Sequence, residues 1–84
     1  MIKLDRNKFI KEWNRTKEEI LSGIYLYPLH LYVKIVNNGK GYILAHEYEF
    51  SYEDFVNFYI LTDSKKILVG GEHLSNIKEM SISW

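Results

Sequence analysis

The fold turns on how residues 29–50, LHLYVKIVNNGKGYILAHEYEF, are read. The first half alternates with a period of two. Leu29, Leu31, Val33 and Ile35 fall on one side, and His30, Tyr32 and Lys34 on the other. Successive side chains leave a pleated strand on opposite faces, so this is the pattern of a strand with one dry face. Asn38-Gly39 follows, a pair suited to a type I′ hairpin turn, where both central residues need positive φ. With that pair as a two-residue loop, Val36 is expected opposite Gly41, Val33 opposite Leu44, Leu31 opposite His46 and Leu29 opposite Tyr48. The apolar set then lies beside Tyr42, Leu44, Tyr48 and Phe50. On the outer face His30 meets Glu47 and Tyr32 meets Ala45. A slip of one residue would carry Glu47 and Glu49 among the leucines.

Upstream, the period changes to that of a helix. In residues 4–22, Phe9, Ile10, Trp13, Ile20 and Leu21 recur at helical spacing, with Thr16 or Lys17 filling the intervening turn. Asp5 or Asn7 can cap the start, and Gly23 stands where a left-handed C-terminal cap is wanted. Glu12, Glu18 and Glu19 interleave with Lys8, Lys11 and Arg15, as on a solvated face. Downstream, SYED (51–54) breaks the strand pattern. FVNFYILT (55–62) reads as a third strand, TDSKK as a turn, KILVG (66–70) as a fourth strand and IKEMSISW (77–84) as a fifth, with Met80, Ile82 and Trp84 on one face. Pro28 cannot donate to a ladder, so regular pairing is expected to begin after it.

One helix and five short, tightly connected strands make an α+β domain. The element order resembles that of small SH3-like barrels, and the N-terminal helix resembles the Sm-like subset. The resemblance implies the helix of residues 4–22 packed on a five-stranded antiparallel barrel built from residues 24–84. No motif of either family matches residue by residue, so the resemblance carries over no functional residue. An open antiparallel sheet with the helix on one face is the alternative. Closure would remove exposed edges.

The bulk numbers narrow the function. The 84 residues suit one domain. They are 46% hydrophobic and 15% aromatic, a payload that disordered chains lack. There is no cysteine, which excludes disulfides, thiolate metal sites and a cysteine nucleophile, and points to the cytoplasm. The opening MIKLDRNKFIKEW lacks the apolar segment of a secretory signal, and no run is long enough to span a bilayer. Eleven basic residues balance eleven acidic ones, so there is no overall pull on nucleic acid. The distribution is uneven: residues 1–22 carry six Lys/Arg against four Asp/Glu, and residues 23–63 carry two against five.

Few residues advertise chemistry. Glu72-His73 follows two glycines, but catalysis needs further partners and no other segment supplies them. The expected role of GGEHLSN is a corner: a bend at Gly70 or Gly71, one helical turn, Leu74 tucked inward, and Ser75 or Asn76 satisfying amides. His30, His46 and His73 do not converge on an ion in the register above, and no metal or other cofactor is expected. No serine sits in a nucleophile elbow. Two surfaces remain. The outer strip His30, Tyr32 and Lys34, joined by Tyr25 or Tyr27, interleaves aromatic and basic groups as nucleic-acid-binding sheets do. The acidic arc Glu47, Glu49, Glu53 and Asp54 suits a basic surface on a partner protein.

The expectation by elimination is a small stand-alone, non-enzymatic binding protein that recognises another macromolecule, a protein before a nucleic acid. Solo domains of this size are frequent among phage and mobile-element inhibitors of host machinery. An Sm-like or SH3-like nucleic-acid module, oligomeric through its edge strands, is the alternative; a sponge for a small nucleotide signal is the third.

Overall fold

The computed structural model describes residues 5–21, 31–39 and 41–83. The helix α1 spans Arg6–Leu21. Among the described residues six strands follow: β1 Tyr32–Asn37, β2 Gly41–Ala45, β3 Glu47–Phe50, β4 Phe55–Leu61, β5 Lys66–His73 and β6 Ile77–Ser83, with a 3-10 turn at Leu74–Asn76 before β6. They form two antiparallel three-stranded sheets, β2-β1-β6 and β3-β4-β5. The five-stranded barrel expected from the element order is therefore not what forms. The segment read as one second strand is divided at His46, and its two halves belong to different sheets. The open-sheet expectation is the better description, with two sheets in place of one.

The helix begins as its sequence requires. Asp5 Oδ1 accepts the Lys8 backbone N–H at 2.8 Å, satisfying one of the amides that the first turn leaves unpaired. The buried stripe is Phe9, Trp13, Thr16 and Ile20. Thr16 sits in it at little cost because its hydroxyl donates to the Glu12 carbonyl at 2.9 Å. Gly23, expected as the C-cap, lies outside the described residues, as do Leu29, His30, Lys40 and Trp84. The rings of Phe9 and Trp13 meet Tyr48 edge-on at 4.9 and 4.8 Å between centroids, and Phe58 at 6.2 and 6.1 Å. Edge-on and offset contacts are the preferred arrangement for rings, whose faces are negative and edges positive. The aromatic stripe thus binds the helix to the second sheet, and Val33, Ile35, Ile77 and Met80 of the first sheet complete the same core.

The β1–β2 hairpin differs from the expected register by one residue. Val33 pairs with Ala45, Ile35 with Ile43 and Asn37 with Gly41. The loop therefore comprises residues 38–40, not Asn38-Gly39 alone. Gly39 does take positive φ, at 67°, and Gly41 absorbs the extra residue with φ 103°. The slip turns Ile43 and Ala45 inward and moves Tyr42 and Leu44 out of the expected core; Tyr42 is 59% exposed. It does not bury Glu47 and Glu49, because the bend at His46 shifts the phase back. Beyond it Tyr48 and Phe50 face the core.

The corner after β5 is also built differently in one respect. Gly70 and Gly71 do not bend the chain; β5 runs through both to His73. Both lie close to side chains, Gly71 the more tightly. A Cβ on Gly70 would stand 3.2 Å from Ile43 Cδ1, and one on Gly71 only 2.6 Å from Phe55 Cε1. The turn proper is Leu74–Asn76, with Leu74 buried as expected. His73, not Ser75 or Asn76, caps it: its Nδ1 accepts the Ser75 N–H at 3.3 Å.

Candidate recognition surfaces

The residues read as an outer strip are partly spent on internal contacts. Tyr32 stacks on His46 with centroids 4.6 Å apart. Lys34 Nζ lies 4.7 Å from the centre of the Tyr42 ring. His30 is outside the described residues, as are Tyr25 and Tyr27. The register brings Val36, Tyr42 and Leu44 onto the same outer face, so the strip is more aliphatic and less basic than its sequence suggested. His46 itself is buried and works as a clasp. Its backbone N–H donates to the Tyr59 carbonyl at 2.8 Å, and its Nδ1 accepts the Leu61 N–H at 2.9 Å. The bend between the sheets is thereby fastened to the end of β4.

The acidic arc is divided. Glu47 and Glu49 stand on the outer face of β3, opposite Tyr59 and Asn57. Glu47 and burial together hold the Tyr48 phenol above its ordinary pKa, burial being the larger cause. Glu53 and Asp54 lie in the turn before β4, and Arg6 takes both: its guanidinium donates to the Glu53 carbonyl and lies 3.9 Å from the Asp54 carboxylate. Those two fasten the start of α1 to the β3–β4 turn. The Leu74 N–H also donates to the Asp54 carbonyl at 2.8 Å.

Glu72 and His73 are structural in their contacts. The Glu72 carboxylate accepts from Asn37 Nδ2 at 2.7 Å, Asn76 Nδ2 at 3.0 Å and the His73 N–H at 3.1 Å. It joins the end of β1 to the corner before β6. Among the described residues no three His, Cys, Asp or Glu side chains are grouped as metal ligands would be, and no helix is long and apolar enough to cross a membrane.

A run of three exposed aliphatic residues was not among the sequence candidates. Ile67, Leu68 and Val69 of β5 are 37, 58 and 42% exposed. β5 is an edge strand of its sheet. Val69 is the extra residue of a β-bulge, since Tyr59 pairs with Leu68 and Phe58 with Gly70. The bulge turns the strand so that neither of its faces is wholly covered. The run KILVG shows no alternation, the pattern of a strand buried on both faces, and nothing local to the sequence marks it as an exposed edge. Across the outer face, Glu47, Tyr59 and Leu68 form one row. Lys66 sits over the Tyr59 ring at 4.4 Å and 3.6 Å from Glu49.

Compared with protein-family models, with curated proteins and with solved structures, the chain has no significant match.

Proposed function

We propose that this chain is a non-enzymatic binding protein that recognises another protein through β5 and the adjoining outer face of β4. One observation carries the reading: three consecutive apolar residues, Ile67, Leu68 and Val69, stand exposed on an edge strand. Contiguous exposed apolar surface is costly in water and marks interaction sites on small monomeric domains. Glu47 stands in the same outer-face row two strands from Leu68 and offers one contact to a basic group of the partner, while Glu49 is already paired with Lys66 at 3.6 Å. Inhibition or modulation of host machinery by a phage or mobile-element product is the biological role such a small domain would serve. The SH3-like reading of the fold finds support in the chain order: β2 and β3 are successive halves of one bent segment, and β6 returns beside β1.

Affinity capture from the source organism tests the proposal. The native chain should retain a specific protein that Leu68→Lys with Val69→Lys loses, while both versions melt at similar temperature. Equal retention by the two, or no specific protein at all, contradicts it. Light scattering separates this from pairing of β5 edges between copies.

A further inference from the structure

A groove of about 560 Å³ runs between α1 and the start of β6. Lys8, Lys11 and Arg15 line it from the helix, and Lys78 lines it from the strand. The helical three share a side because residues three and four apart are neighbours on a helix surface. Lys78 is brought there by a bulge: Val36 pairs with Glu79 and Asn37 with Ile77, which leaves Lys78 without a partner opposite.

The charges are not equivalent. Arg15 is held by Glu12 at 2.7 Å and Glu19 at 3.3 Å, and its pKa is raised, first through the hydrogen bond to Glu12. With two carboxylates against its one charge, it adds no free positive charge to the groove. Lys8, Lys11 and Lys78 make no ion pair among the described residues, and only Glu79 stands against them in the groove as an uncommitted carboxylate. Ile77 and Met80 form the floor.

We infer that this groove binds an extended acidic peptide segment of a partner protein, held by Lys8, Lys11 and Lys78. The bulge at Lys78 interrupts the outer edge of β6, so side-chain charge and not an added ladder is what would hold the segment. A polyphosphate backbone fits less well. Glu79 and the apolar floor favour a chain that mixes carboxylates with an amide backbone and an apolar side chain. The site is independent of β5.

The probe is a short fluorescein-labelled peptide rich in Asp and Glu with a central Leu, titrated into the full chain at low ionic strength. Saturable binding is expected, about tenfold or more weaker for Lys11→Glu with Lys78→Glu, and weaker again as salt is raised. Leu68→Lys should bind the peptide as the native chain does, which separates this groove from the β5 surface. Three results would overturn the inference: no saturable binding, equal binding by the lysine variant, or displacement of the peptide by a single-stranded oligonucleotide at lower concentration than by unlabelled peptide. Should the double variant lose its fold, Lys11→Gln and Lys78→Gln, each alone, must still weaken the peptide, or the inference fails.

Discussion

At the scale of the residue, His46 holds more of the architecture than its small surroundings suggest. Its ring stacks on Tyr32 of β1 while its Nδ1 accepts from Leu61 of β4, so a single side chain touches both sheets. An aromatic replacement keeps the stack and loses the acceptor. His46→Phe should therefore cost about 1–3 kcal/mol in chemical denaturation, the usual penalty for stranding a buried donor. His46→Asn, which can place an oxygen near the lost nitrogen, should recover part of it. A Phe variant as stable as the native chain would mean that Leu61 finds another acceptor. Two glycines give a second test by different physics. Gly39→Val is opposed by positive φ and should cost about 1–3 kcal/mol. Gly71→Val is opposed by the Phe55 ring, which stands where its Cβ must go, and should be the more damaging of the two. A reversed order, read from thermal melts, would show that the ring moves aside more easily than the turn changes shape.

At the scale of the element, the helix is the piece that composition and spacing describe best. Phe9, Trp13, Thr16 and Ile20 lie on one side by periodicity alone, and Asp5 is a capping residue by its chemistry. Trp13 contacts rings from α1, β3 and β4, so Trp13→Ala should lose about 3–5 kcal/mol, measured by urea unfolding. A negligible loss would detach the helix from the core. The hairpin was legible only to within one residue. Asn38-Gly39 marks the turn, but a third loop residue and the positive φ of Gly41 are not written in the pair itself. The inward positions of Tyr48 and Phe50 were still read correctly, because the bend at His46 offset the slip. Alternation reports a face, and it cannot report a change of phase inside a segment. For the same reason the division of that segment between two sheets was hidden. The exposed run of β5 was hidden differently: an unbroken apolar run is the pattern of a strand buried on both faces, and only its tertiary neighbours show it exposed.

At the scale of the whole molecule, a net charge of zero conceals two surfaces of opposite character. Lys8, Lys11 and Lys78 border the groove beside β6, and Glu47 and Glu49 stand on β3, across the outer face from the apolar edge of β5. Recognition centred on β5 should respond little to salt, because its energy comes from apolar burial, while binding in the groove should fall steeply with it. The central claim is that β5 meets a protein partner, and site-specific photocrosslinking in the source cells tests it most directly. A photoreactive phenylalanine analogue at Leu68 should give one discrete crosslinked protein, and the same analogue at Tyr52, exposed in the β3–β4 turn and away from both β5 and the groove, should not. Identical patterns from the two positions, or no product at Leu68, would contradict the account.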